Sequence, residues 1–277
     1  MNQWIAALPM YNVTPRHGAL WRALLRDALD AFARAGGPVD VALPAEPFDD
    51  LNALWRRNDL LLSQTCGYPY RMLGLNETVH LIATPAFDAP GCHGARYSSV
   101  LVVSARAQAR GATTLAACRG LRAAINGDDS HSGMNALRDA VAPHAHDGRF
   151  FASVASFGSH LNVLRALAAG PADCAAIDCV TFAYVGDALP ALLDEIRIVG
   201  MTAPAPGLPL IASTALDGGL VKPLRDALAH AVTVDRDRAR VLRLKGFESV
   251  APHAYDTIAQ FAQFAQRASA RGYPVLA

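Results

Sequence analysis

Short apolar runs alternate with longer amphipathic stretches along this chain, and that alternation predicts an α/β architecture. Trp4–Leu8 reads as a first strand. Ala19–Ala35 follows as a helix with Leu20, Leu24 and Ala28 on one face, stopped by Gly36-Gly37. Further strands are expected at Val39–Leu43, Asp59–Ser63, Thr78–Ala83, Tyr97–Ser104, Arg122–Ile125, Phe150–Val154, Ala172–Ile177, Arg197–Gly200 and Leu210–Ser213. The last of these precedes three helical segments, the final one at Asp256–Ala270. Helices are also expected at Leu51–Arg56, near Thr114–Cys118, at Met134–Val141 and at Ser159–Ala169.

Two Pro/Gly-rich breaks interrupt this pattern, one near Pro85–Arg96 and one near Met201–Pro209. They predict a discontinuous lobe of residues 1–95 plus 203–277 and a continuous lobe of residues 96–202. A chain that crosses twice between α/β lobes makes a cleft, a favoured place for a small ligand.

Composition narrows the function classes. The chain has 277 residues, long enough for one large or two medium domains. With 25 basic and 24 acidic side chains it generates no strong field toward nucleic acid or anionic lipid. No apolar run is long enough to cross a bilayer, so no membrane insertion is expected. Five scattered cysteines, an odd number without CxxC or zinc spacing, suit a reducing compartment better than a disulfide framework. The first residues lack a basic segment and reach Pro9 early, which predicts a cytoplasmic protein, or a periplasmic one whose signal was trimmed. No metal spacing, P-loop or G-x-S-x-G motif is present, and no cofactor is expected.

Chemistry concentrates in Ala123-Ala-Ile-Asn-Gly-Asp-Asp-Ser-His-Ser-Gly-Met-Asn-Ala-Leu137. A strand ends at Asn126, and Ser130, His131, Ser132 and Gly133 lead into an amphipathic helix. Serine hydroxyls, backbone N–H groups and the positive pole of a helix would then converge on one anion without Arg or Lys. A plain serine N-cap would read the same way. Ser156-Phe-Gly-Ser-His160 repeats the arrangement, placing His160 in a first helical turn, where a surface or capping role is the alternative. Asp178 closes a short apolar strand at its carboxyl end, as a ligand contact or as the cap of the next turn. In the first block, Tyr11 and the Gln64-Thr65-Cys66 turn lie at strand ends. Cys66 is a candidate thiolate nucleophile or a small buried hydrophobe.

These segments together resemble the phosphate/phosphonate-binding proteins of ABC importers, which have the two-lobed type II periplasmic binding protein fold. The resemblance rests on Arg96-Tyr-Ser-Ser-Val-Leu-Val-Val103, Ile125-Asn-Gly-Asp-Asp-Ser-His-Ser-Gly133, Gly158-Ser-His160, Ala172-Asp-Cys-Ala-Ala-Ile-Asp178 and Ala205-Pro-Gly-Leu-Pro209. It implies a small oxyanion, phosphate or a phosphonate, held by Ser130, His131, Ser132, Gly133, His160 and Asp178, and an ABC permease as partner. By position Tyr11, Gln64, Thr65, Cys66, Tyr97 and Asn126 would complete the site. The chain departs from the family's more usual Ser-Thr-Ser-Gly loop, with His131 in place of the threonine. The competing expectation is a cytoplasmic enzyme on the same fold, with His131, His160 and Cys66 as reactive groups.

Overall fold

The structure, a computed structural model, describes residues 3–44, 47–145 and 149–269, with side chains described through Gln263 in the last helix. Its strands are β1 Trp4–Ala7, β2 Val41–Ala42, β3 Leu60–Gln64, β4 Val79–Phe87, β5 Cys92–His93, β6 Arg96–Tyr97, β7 Ser99–Ser104, β8 Arg122–Ile125, β9 Ser153–Ser156, β10 Cys174–Asp178, β11 Ile196–Met201, β12 Ala205–Pro206, β13 Leu210–Ser213 and β14 Leu244–Glu248. The chain divides into two compact units. Among the described residues, the first comprises 3–88, His93–Arg96 and Pro206–Tyr255, and the second Ala89–Cys92, Tyr97–Ala205 and 256–269.

Unit 1 is built on a six-stranded sheet of order β14-β4-β13-β3-β1-β2. β1 runs parallel to β2 and β3, while β13 is antiparallel to β3 and β4. The helix Pro15–Arg34 starts where Thr14 Oγ1 accepts the His17 N–H, with Pro15 at the first helical position. It buries Trp21, Leu24, Leu25, Ala28 and Phe32, spaced for one face, and packs on the helix Val221–Val234. Each such large side chain contributes about 1.5–3 kcal/mol by leaving water.

Two features of unit 1 differ from the expected pattern. β4 runs on through Pro85 to Phe87, because at Pro85 it is paired only with β14 and the missing N–H breaks no ladder. Leu210–Ser213 is not the last strand, since β14 follows it. β14 pairs antiparallel with the end of β4, shifting register between Leu244 and Gly246. Its sequence, Leu-Lys-Gly-Phe-Glu, has too few apolar residues to alternate visibly.

Unit 2 carries a five-stranded sheet of order β11-β7-β10-β8-β9. β8 is parallel to β9 and β10, and β7 is antiparallel to β10 and β11. Val100–Val103, Ala123–Ile125 and Cys174–Ile177 are all buried, as expected for strands covered on both faces. The helix His160–Ala169 stops at Gly170, whose φ of 107° suits a left-handed cap, and Pro171 follows.

The helix Asp256–Ser269 groups with unit 2, whereas the sequence assigned everything after residue 203 to the first lobe. Its partners explain the difference. Asn135 Nδ2 donates to the Ile258 carbonyl at 3.2 Å, and Phe261 stacks on His131. Ala270, the expected end of this helix, lies outside the described residues. β5, β6 and β12 form a separate three-stranded sheet of order β12-β6-β5.

Candidate functional site

In unit 2 the three parallel strands deliver their carboxyl ends to the same edge of the sheet. β8 ends at Ile125, its partner β9 at Ser156 and its other partner β10 at Asp178. The Asn126–Ser132 loop, the Phe157–His160 loop and Asp178 therefore share an edge, the usual location of ligands in parallel α/β sheets. Phe157 N–H donates to the Ile125 carbonyl at 2.9 Å, which fixes the second loop to the first.

The turn after β8 is wound more loosely than an α-helix. Asn135 N–H reaches back five residues to the Ser130 carbonyl at 3.0 Å, so His131–Asn135 form a π-type turn before the helix Ala136–Val141. Ser130 Oγ accepts the Gly133 N–H at 3.0 Å, so Ser130 caps the turn, as the simpler reading of the sequence held. Ser132 has another use. Its Oγ lies 2.8 Å from His160 Nε2, and its carbonyl accepts a 3.0 Å bond from Ser99 Oγ.

A side chain at Gly133 would force its neighbours to move. A Cβ would lie 1.8 Å from Asn126 Oδ1 and 3.1 Å from His160 Cε1. The glycine thus lets Asn126, His160 and the turn approach one another. Asn126 Oδ1 and His160 Nδ1 are both enclosed and have no hydrogen-bond partner among the described residues. Burial lowers the His160 pKa to about 3, so the imidazole is neutral at physiological pH.

Neutrality makes the Ser132–His160 bond directional. If His160 Nε2 carries the proton and donates to Ser132 Oγ, the serine O–H is released to donate outward. If Nε2 accepts, that O–H is consumed and the hydroxyl offers an anion only lone pairs. Only the first tautomer makes Ser132 an oxyanion donor.

His131 is placed differently from its expected role. Its side chain is buried, stacked on Phe261 with centroids 5.4 Å apart and tilted against Tyr97 at 6.2 Å. Asn135 Nδ2 lies 3.1 Å from its Nδ1, and burial lowers its pKa to about 3. The ring therefore packs the interior of unit 2, and only the backbone of this residue belongs to the turn. Tyr97 is likewise buried.

Asp178 is buried and caps the helix Cys179–Ala188, its Oδ1 accepting the N–H groups of Val180 at 2.8 Å and Thr181 at 3.0 Å. Across the sheet it pairs with Ser99. Ser99 and Thr202 belong to the same edge, although the sequence reading passed over both. Ser99 N–H donates to Thr202 Oγ1 at 2.8 Å, and Thr202 N–H to the Ser99 carbonyl at 2.9 Å. The available signal was a hydroxyl residue at the head of an otherwise apolar strand.

The unit 1 candidates form their own group. Gln64, Thr65 and Cys66 are buried at the carboxyl end of β3. The Gln64 carbonyl accepts from Trp55 Nε1 at 3.1 Å, and Thr65 N–H donates to the Pro209 carbonyl at 3.0 Å. Gln64 Nε2 and Ser63 Oγ are buried without a hydrogen-bond partner among the described residues. Tyr11 is not displayed at the strand end. It packs in an aromatic cluster with Trp21 and Phe87, ring centroids 6.4 and 5.1 Å away. Among the described residues, no group of three His, Cys, Asp or Glu side chains could hold a metal ion.

The family model for the periplasmic substrate-binding protein of phosphonate ABC transporters matches residues 23–255. The chain belongs to that family. Its members are substrate-binding transport proteins rather than enzymes. A binding protein component of an ABC phosphonate transporter from Pseudomonas aeruginosa is similar in fold at 16% identity and a TM-score of 0.77, over 98% of this chain and 89% of that one. PhnD1 from Prochlorococcus marinus, solved in complex with methylphosphonate, is similar at 16% identity and a TM-score of 0.74, over 96% and 98% of the two chains. A Xanthomonas citri protein bound to ATP is similar at 16% identity and a TM-score of 0.69, over 98% and 99%. No curated protein matches the sequence. The fold is that of the two-lobed periplasmic binding proteins, as the sequence resemblance implied. The family is periplasmic, and among the described residues no helix is long and apolar enough to cross a membrane.

Proposed function

We propose that this protein is the solute receptor of an ABC importer, with its two compact units as the lobes, and that it binds a phosphonate or phosphate at the Ser130–Gly133 turn. It would work in the periplasm and hand its ligand to a permease. The observation that carries this reading is the 2.8 Å Ser132 Oγ–His160 Nε2 contact beside Gly133. A neutral imidazole donating to Ser132 sends the serine O–H toward an oxyanion, where the first-turn N–H groups and the helix pole add to it. Asn126 Oδ1, enclosed and without a partner among the described residues, supplies an acceptor for a protonated ligand oxygen.

Ser132→Ala is expected to weaken methylphosphonate binding about 10- to 150-fold, the loss of a hydrogen bond to a charged partner worth roughly 1.5–3 kcal/mol. Titration calorimetry measures this. Undiminished affinity in the variant would remove Ser132, and with it this assignment, from the site.

Asp178 gives the site its selectivity in this reading. A buried carboxylate near the ligand repels sulfate, which has no proton at neutral pH, but accepts a hydrogen bond from P–OH. Asp178→Asn retains a side-chain oxygen for the Val180 and Thr181 N–H groups, so the helix cap survives. The variant is expected to narrow the phosphate-over-sulfate preference in competition binding. An unchanged ratio would leave Asp178 as a cap alone.

A further inference from the structure

Two cysteines far apart in sequence meet in unit 2. Cys92 Sγ and Cys179 Sγ lie 3.4 Å apart, the first half-buried and the second buried. Their backbones are held by a single bracket. Ser98 N–H donates to the Gly91 carbonyl at 3.0 Å, and Cys179 N–H donates to the Ser98 carbonyl at 3.2 Å. The turn is closed by Cys92 N–H on the Ala89 carbonyl at 2.9 Å, with Gly91 in the left-handed region at φ 95°. A Cβ at Gly91 would lie 3.2 Å from Cys179 Cβ, which shows how closely the two segments approach.

We propose that Cys92 and Cys179 form a disulfide, covalently joining the Ala89–Cys92 turn to the first residue of the helix that Asp178 caps. The sulfurs, 3.4 Å apart, need to approach by roughly 1.4 Å to reach the S–S bond length of about 2.05 Å. The oxidant is a disulfide, of a small thiol or of a periplasmic dithiol protein. Cys92 loses its proton and attacks one oxidant sulfur, releasing the first thiol. Cys179 then loses its proton and attacks Cys92 Sγ, releasing the second. Two protein thiols and one disulfide thus give one protein disulfide and two thiols. Cys92 leads because it is the half-buried sulfur. The bond with Cys92, burial and the Asp178 carboxylate all push the Cys179 thiol up.

A second thiol pair provides the contrast. Cys118 and Cys174 are hydrogen-bonded to each other, but both are fully buried, out of reach of an oxidant in the native protein. The proposal takes its oxidant from the periplasmic setting above, whereas the test supplies one, so the two can fail separately.

The full chain is incubated with oxidised glutathione, alkylated, and mapped after cleavage at both aspartate and arginine, which separates Cys174 from Cys179 and Cys92 from Cys118. A Cys92–Cys179 linked peptide is expected, with Cys66, Cys118 and Cys174 alkylated after unfolding. Closing so long a loop should raise the thermal midpoint by about 5–10 °C, and Cys92→Ser should abolish both the link and the rise. Full alkylation of Cys92 and Cys179 in the wild type after oxidation, or linkage of either to another cysteine, would overturn the proposal.

Discussion

Gly133→Ala is expected to lower methylphosphonate affinity by about 100-fold or more, a loss near 2.7 kcal/mol, while the protein remains folded. The cause is steric and local. The new methyl would sit 1.8 Å from Asn126 Oδ1 and 3.1 Å from His160 Cε1, so both side chains must move. Moving His160 breaks its contact with Ser132 Oγ and releases the hydroxyl from the orientation that serves an anion. Overpacking of this kind costs about 1–3 kcal/mol of stability, less than the unfolding free energy of an ordinary domain. Calorimetry and a thermal unfolding scan on the same preparation separate the two effects. Retained affinity at a lowered midpoint would mean that the turn is structural and the ligand binds elsewhere.

The second large effect is acid lability. Burial lowers the His131 pKa from 6.5 to about 3, and that of His160 likewise. Above pH 6.5 both groups are neutral in both states, and stability is independent of their titration. As pH falls from 6.5 toward 3, the unfolded chain takes up protons that the folded one refuses. His131 then removes about 1.4 kcal/mol per pH unit, and the loss levels off below the folded pKa. At pH 5 His131 alone should cost about 2 kcal/mol relative to pH 7. His160, only half-buried, contributes less. Urea midpoints measured from pH 7.5 to 4.5 should fall steadily below 6.5. His131→Phe, which keeps the stack on Phe261, should remove more than half of the slope. A flat profile in the wild type would contradict the buried, neutral state of both rings.

Much of this architecture is legible in the chain itself. Arg122–Ile125 and Leu210–Ser213 are strands within the limits that their β-rich runs mark, because turn residues bound them on both sides. The Ser130–Gly133 and Ser159–His160 segments announce helix starts through capping chemistry that acts over three or four residues. What depends on distance in sequence is hidden. Ser132 and His160 are 28 residues apart and meet only because β8 and β9 pair in parallel. His131 looks like a ligand donor until Phe261 and Asn135 enclose it. Tyr11 looks exposed at a strand end until Trp21 and Phe87 close over it. The cysteines are free thiols, as their odd count and scattered spacing suggest, but their contacts are hidden in the sequence: Cys92 lies 3.4 Å from Cys179, and Cys118 is hydrogen-bonded to Cys174.

The central claim is that an oxyanion binds where Ser132 and His160 meet, with His160 protonated on Nε2. Nitrogen-15 NMR of the histidine side chains during titration with methylphosphonate reads both parts at once. The free protein should show His160 neutral with its proton on Nε2, and the His160 resonances should shift in step with saturation measured by calorimetry. If saturating methylphosphonate leaves His160 unmoved, or if the free ring carries its proton on Nδ1, the account is contradicted.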